Sequence, residues 1–167
     1  MRTALFAATA ALLAASPALA NHHKPAKGEA MDHSAHHSAH HAAALKAAIE
    51  HPTRKDDMAR DKWRHPKETL EFFQVAPNMK VGEYAPGGEW YSRLLGHYLG
   101  KEGKLVGLFF NPTSGPFNEK SQQGIRDGAA KFPADIAGFT GLPAEKFSAM
   151  TLDAIPEGEA GTFDRIL

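Results

Sequence analysis

The residues best suited to do chemistry stand between an apolar run and a helical pattern, in MKVGEYAPGGEWYSRLLGHYL, residues 79–99. Glu83 ends the apolar run, and Pro86, Gly87 and Gly88 follow it. Paired glycines after a strand let backbone approach a ligand, and a carboxylate there suits a cationic group or a hydroxyl donor. The spacing fits neither dinucleotide nor phosphate loops. A structural turn before a packed helix is therefore the alternative.

A second set of candidate residues lies in HSAHHSAHH, where five histidines follow helical spacing: His33, His36, His37, His40 and His41. On a helix this spacing presents imidazoles on one face, and neutral imidazole binds Zn²⁺, Cu²⁺ or Ni²⁺. A low-complexity polar tail that binds metal only opportunistically is the alternative. The tract is thus a candidate metal-binding segment, and nothing in it indicates metal catalysis.

Composition limits the classes of function. The chain has 167 residues, 43% of them hydrophobic, with 19 basic and 19 acidic side chains. This balance is typical of a soluble globular protein and gives no indication of a nucleic-acid partner. Cysteine is absent, which excludes disulfides, thiolate metal sites and cysteine nucleophiles.

The N-terminus has the pattern of a secretory signal peptide. Arg2 provides a positive charge, residues 4–15 are mostly apolar but too few to span a bilayer, and Ala-Leu-Ala at 18–20 forms a cleavage site. We therefore predict that residues 1–20 are removed and that the mature protein is periplasmic or secreted. No later apolar run is long enough to predict a membrane span.

Composition then predicts a two-part mature chain. Residues 21–55 are rich in histidine, alanine and lysine and poor in large apolar side chains, so we predict a His-rich, disordered or marginally helical linker. Residues 56–167 are predicted to form one α/β domain.

Within the domain, predicted helices alternate with short predicted strands. Helices are expected in HPKETLEFFQV, in EWYSRLLGHYLG and from Glu119 to Lys131, where Pro133 ends the helix; strands are expected in KVGEYA, KLVGLFF, FSAMTL and TFDRIL. Leu70, Phe72 and Phe73 form the expected buried stripe of the first helix. Alternation of this kind predicts a parallel sheet with helical crossovers, which binds ligands where strand order reverses.

Two motifs carry a resemblance to a known family. RDKWRHPKETLEFFQVAPNMKVGEYAPGGEWYSRLL contains Arg-His-Pro-x-Glu-Thr-Leu at 64–70 and Glu-x-x-Pro-Gly-Gly at 83–88. It resembles the N-terminal part of exported, predicted class I S-adenosylmethionine-dependent methyltransferases. The likeness covers about residues 60–167 and implies a Rossmann-like sheet with flanking helices, the N-terminal half of the class I fold. The family continues through about three further strands, so the resemblance implies an incomplete domain.

The resemblance also implies roles for individual residues. Glu83 would lie near the ammonium group of S-adenosylmethionine, with Pro86, Gly87 and Gly88 in the loop beside its methionine part. Asp153, after the third strand, would meet the adenine amino group. Asn111 stands where the family usually has an acid that binds the ribose hydroxyls, and it is a weaker, neutral acceptor.

Three functional hypotheses follow from these observations. The first is a methyltransferase-like protein that binds S-adenosylmethionine and an unknown methyl acceptor, without requiring a metal or a covalent nucleophile. The second is an exported metal-binding protein whose histidine tract is the working part. The third is a nonfunctional truncated remnant of the first.

Overall fold

The structure, a computed structural model, describes the backbone of residues 29–167 and the side chains of residues 39–167. The predicted signal peptide, residues 1–20, lies outside the described residues, as does the start of the predicted linker. Within the described part, no helix is long and apolar enough to cross a bilayer.

Four parallel strands form one sheet in the order β3-β2-β1-β4: β1 (Lys80–Tyr84), β2 (Lys104–Phe109), β3 (Phe147–Thr151) and β4 (Arg165–Ile166). The expected α/β class and parallel sheet are confirmed, and the arrangement is consistent with a Rossmann-like fold. The middle residues of the two central strands, 81–83 of β1 and 105–108 of β2, are buried, and all of them except Glu83 are apolar or glycine, as is typical of parallel strands covered on both faces.

Helices flank the sheet: α1 (Glu29–Ile49), α2 (Asp61–Arg64), α3 (Pro66–Phe72), α4 (Trp90–Leu99) and α5 (Glu119–Thr140). Single 3-10 turns occupy Pro52–Arg54, Met58–Arg60 and Ala144–Lys146. The core is formed mainly by the inward face of α4, by Leu105 of β2 and by Phe132 and Ile136 of α5. Apolar residues at i, i+4 and i+5 of α4, namely Trp90, Leu94 and Leu95, make it the central helix of that core.

The N-terminal boundary of the folded part differs from the prediction. Residues 29–49, expected to belong to a linker that ends at residue 55, form helix α1. Leu45 and Ala48 of α1 are buried in the core with α4, and only 4% of Leu45 is exposed. The alanine-rich composition did not indicate this docking, because only two buried side chains attach the last turns of the helix to the core.

Two details of the predicted helices are wrong. Phe72 and Phe73 were expected to be buried with Leu70, but Phe72 is 80% exposed and Phe73 is 41% exposed. Helix α5 does not end before Pro133 but continues to Thr140. Phe132 and Ile136, on either side of the proline, are completely buried, and this packing stabilises the helix across the missing N–H.

Strand order reverses beside β1. The chain passes from β1 to β2 and β3 on one side, and then returns to place β4 on the other side of β1. Pairing continues past the end of β4, because the N–H of Tyr84 donates to the carbonyl of Leu167 at 2.8 Å. Ligands of parallel α/β sheets bind where strand order reverses, and here that point is the carboxyl end of β1.

Candidate functional site

The loop that leaves β1 has a strained backbone. Three of its residues have left-handed backbone conformations: Ala85 (φ 52°), Gly87 (φ 50°) and Glu89 (φ 59°). Only the glycine adopts this conformation without steric cost; each of the other two costs about 1 kcal/mol or more. Hydrogen bonds hold the turn, from Ala85 N to Leu108 O and from Glu89 N to Pro86 O, both 2.8 Å. Non-glycine strain of this kind is concentrated at ligand sites.

Glu83 is a buried acid at the end of β1. Only 5% of it is exposed, and its Oε2 atom is buried without a hydrogen-bond partner among the described residues. Burial raises the pKa of Glu83 to about 7; the nearby Ser92 of α4 and the charge of Arg93 oppose the rise, while Glu89 adds to it. The Ser92 hydroxyl, like Glu83 Oε2, is buried without a hydrogen-bond partner among the described residues. The side chain therefore changes charge near neutral pH, and an incoming donor or cation would satisfy it.

A cavity of about 440 Å³ opens beside this carboxyl group, and we call it the switch-point cavity. Its walls come from three parts of the chain: the end of β1 with its loop, the segment around α2 and α3, and Leu167 next to β4. Its lining residues are Arg60, Arg64, Thr69, Phe73, Glu83, Tyr84, Ala85, Pro86, Gly87, Gly88, Trp90, Tyr91 and Leu167. The cavity thus combines one buried acid, two arginines and four aromatic rings.

Gly88 leaves space at the cavity wall. A Cβ atom at Gly88 would meet no protein atom within 4 Å, and the residue does not have a positive φ. At Gly87 a Cβ would lie 3.5 Å from the carbonyl oxygen of Ala85, and the positive φ there adds strain. Gly87 is therefore required by the backbone itself, whereas the protein gives no internal reason for glycine at position 88.

An ion pair fixes the wall that carries the arginines. Both oxygens of the Asp57 carboxylate accept from Arg93 of α4, at 2.6 and 2.7 Å, and the carbonyl oxygen of Asp57 accepts from Trp90 Nε1 at 3.0 Å. The buried Arg54 lies over the Trp90 ring and donates to Asp61 at 2.9 Å. Bidentate pairs of this kind hold geometry well, so the segment before α2 is fixed to the start of α4.

A second cavity, of about 330 Å³, lies on the other side of the loop; we call it the α5 cavity. It shares Ala85, Pro86 and Gly87 with the switch-point cavity, and its other walls are the end of β2 and the first half of α5. Phe110 lies at this wall and is 42% exposed, in edge contact with Tyr84 at 5.4 Å. Gly124 of α5 leaves open space, since a Cβ there would touch nothing. The loop therefore separates a charged cavity from a largely apolar one.

The structure brings together some of the predicted site residues and separates others. Glu83, Pro86, Gly87 and Gly88 line the switch-point cavity together. Asn111 lines neither cavity: its side-chain oxygen accepts from the backbone N–H and the hydroxyl of Thr113, both at 2.8 Å. Asp153 is exposed just after β3 and also lines neither cavity.

The predicted metal ligands fall within α1. The side chains of His33, His36 and His37 lie outside the described ones; the rings of His40 and His41 are 6.2 Å apart. In the part of the chain that the structure describes, no group of three or more His, Cys, Asp or Glu side chains could hold a metal ion.

Sequence reasoning missed the residues contributed by the N-terminal helices. Arg60, Arg64 and Thr69 line the switch-point cavity although they precede β1, and Leu167 lines it from the far end of the chain. A signal for two of them was present, since Arg64 and Thr69 belong to the motif at 64–70. That motif and the glycine loop, separate in sequence, line the same cavity.

Comparisons of this chain with protein-family models, with curated proteins and with solved structures found no match.

Proposed function

We propose that the protein binds S-adenosylmethionine at the loop after β1 and is a methyltransferase-like protein with an unknown methyl acceptor. The observation that carries the proposal is the buried carboxyl group of Glu83, whose Oε2 lacks a partner among the described residues at the point where strand order reverses. On the predicted signal peptide alone, we place this function in the periplasm or outside the cell.

The residues present fit the amino-acid end of the cofactor. An ammonium group would supply the hydrogen bonds and the positive charge that the Glu83 carboxylate lacks. The open space at Gly88 lets backbone N–H groups approach the ligand without obstruction. The strain at Ala85 and Glu89 is then the cost of a loop shaped for a ligand rather than for stability.

The α5 cavity suits the opposite end of the same molecule. It adjoins the switch-point cavity across Pro86 and Gly87, and it offers the aromatic edge of Phe110 and the small surface of Gly124. A flat purine packs well between an aromatic ring and a glycine. Asn111 and Asp153, which the resemblance assigns to the ribose and the adenine, would have to turn toward this cavity.

The cofactor, when bound, supplies an electrophilic methyl group on a sulfonium. This chain's part is to hold that group in place: Glu83 fixes the amino-acid end, and the loop sets how closely the ligand approaches the sheet. Positioning of this kind needs no nucleophile from the protein. The sheet order β3-β2-β1-β4 supports the proposal because it matches the first four strands of the doubly wound order 3-2-1-4-5-6, in which nucleotide cofactors bind where strand order reverses beside β1.

The test is a calorimetric titration of the full chain with S-adenosylhomocysteine, the stable demethylated product. We expect binding in the wild type, at least tenfold weaker binding in Glu83→Gln, where the charge is lost, and no binding in Gly88→Val. Gly138→Val is the matched control, because a Cβ at this exposed helical glycine also meets no atom. A folded wild-type protein that gives no binding heat would exclude the proposal.

Metal binding by the histidine tract is a second candidate function. One observation favours it: residues 33–41 lie inside α1, so their backbone is helical and the spacing of the histidines matches one turn after another.

We expect Zn²⁺ to bind the full chain and to lose at least tenfold in affinity when His33, His36, His37, His40 and His41 are changed to Ala. A variant with Ser34 and Ser38 changed to Ala is the control, since it alters the same segment and keeps the imidazoles. Equal Zn²⁺ affinity in the wild type and the five-histidine variant would contradict this function.

A further inference from the structure

Arg60 and Arg64 place two positive charges on the wall of the switch-point cavity that faces away from the sheet. Among the described residues, neither guanidinium has a carboxylate within 4.0 Å, although Arg54 and Arg93 nearby are both paired. A guanidinium offers five N–H donors, and leaving them without acceptors in a partly closed site is unfavourable. Arg60 is exposed, so water can accept from its donors, but Arg64 is half-buried. The unpaired guanidinium of Arg64 therefore indicates an anionic group that is supplied from outside the protein.

The backbone of Arg64 is held in place. Its carbonyl oxygen accepts from the hydroxyl of Thr69 at 3.1 Å and from that of Tyr91 at 3.5 Å. The residue ends α2, and His65 follows in a left-handed conformation that turns the chain into α3. The backbone of Arg64 is thus positioned by two hydrogen bonds at a bend in the chain.

The side chain of Arg64 is positioned as well. Its guanidinium carbon lies 5.0 Å from the centre of the Trp90 ring and 5.5 Å from that of Tyr91. Cation–π contacts orient the guanidinium but satisfy none of its N–H groups. The donors of Arg64 consequently remain available to a ligand in the cavity.

The charges of the cavity are arranged in two parts. Glu83 places a carboxyl group on the wall formed by the sheet. Arg60 and Arg64 place positive charges on the wall formed by the N-terminal segment. A polyanion such as a phosphate chain would be opposed by Glu83. An α-amino-acid group, with an ammonium and a carboxylate on one carbon, matches both walls.

We propose that Arg64, assisted by Arg60, binds the carboxylate of the ligand's amino-acid group and makes the cavity selective for ligands in which that group is intact. The inference rests on the proposed function for the identity of the ligand. A planar guanidinium can accept a carboxylate in two parallel hydrogen bonds, which explains an arginine rather than a lysine at this position.

The experiment compares two ligands in calorimetric titrations of the full chain: S-adenosylhomocysteine and its decarboxylated analogue, which keeps the amine. We expect the wild type to prefer the carboxylate-bearing ligand by at least tenfold. Arg64→Ala should abolish the preference by weakening only that ligand, and Arg64→Lys should keep part of it. Arg126→Ala, at an exposed position on α5, is the control and should behave as the wild type.

The outcomes separate the inference from the proposed function. If Arg64→Ala weakens both ligands equally, Arg64 acts only by packing on Trp90 and the inference is wrong. If binding of S-adenosylhomocysteine is weakened by Glu83→Gln but unchanged by Arg64→Ala, the proposed function stands and the inference fails. If the folded wild type binds neither ligand, both are overturned.

Discussion

At Glu83, the burial that prepares a site for a cation also sets how the stability of the protein changes with pH. The pKa is raised from about 4.5 to about 7, so between these values the folded state binds more protons than the unfolded state. The contribution of Glu83 to stability therefore falls as pH rises through this window and is most unfavourable above pH 7, whereas burial lowers the pKa of His97 to about 4 and gives a contribution that rises with pH over the same range. A shift of this size corresponds to about 3 kcal/mol.

We expect Glu83→Gln to remove this dependence and to stabilise the protein above pH 7 by up to about 3 kcal/mol, while weakening ligand binding. Urea denaturation at pH 5 and pH 8 measures the effect, with the exposed Glu102→Gln as control. If Glu83→Gln is no more stable than the wild type at pH 8, the claim that Glu83 is both buried and ionised at this pH is wrong.

The sequence identified the loop residues but not their separate roles. Gly87 and Gly88 look equivalent in the sequence, yet only Gly87 has a positive φ, and only at Gly88 would a side chain meet open space. Ala85 and Glu89 are left-handed although their residue types disfavour it. Such conformations are imposed by the strand and the helix on either side, and no local sequence pattern predicts them.

At the scale of elements, α1 is the part of the fold that composition concealed. Its last turns dock on α4 through Leu45 and Ala48, and the exposed pair Lys46–Glu50 lies on its outer side. The last turns of α1 therefore belong to the core rather than to a linker.

Leu45→Ala is expected to destabilise the protein by about 3 kcal/mol, because it removes buried methyl groups and leaves a cavity. Lys46→Ala, which breaks only the exposed ion pair, should cost less than about 0.5 kcal/mol. Thermal and urea unfolding of the two variants measures the difference. Unchanged stability of Leu45→Ala would show that the segment is a linker after all.

Strong local patterns predicted the other elements well. The strands β1 and β2 were predicted from continuous apolar runs, and α4 from a helical apolar stripe ended by Gly100. The predictions at Pro133 and Phe72 are wrong for the same reason: tertiary packing, not local preference, decides whether a proline-containing helix continues and which aromatic side chain is covered.

For the whole molecule, a parallel sheet could be predicted from the sequence, and the strand order and the complete cavity could not. Alternating strands and helices imply a parallel sheet, and the sheet implies a site at the end of β1. The walls, however, come from residues 60–73, 83–91 and 167, which only the three-dimensional fold brings together. Spacing within one motif contains no information about such long-range contacts.

The position of β1 between β2 and β4 has a consequence for synthesis of the chain. Lys80 N donates to the carboxylate of Asp164 at 2.8 Å, and Leu167 N donates to Gly82 O at 2.9 Å. A ribosome releases β1, β2 and β3 before residues 164–167, so one edge of β1 stays unpaired until then. The wall that Leu167 contributes therefore forms after the walls from β1 and the N-terminal segment, and the nascent chain closes the switch-point cavity only once residues 164–167 have paired with β1.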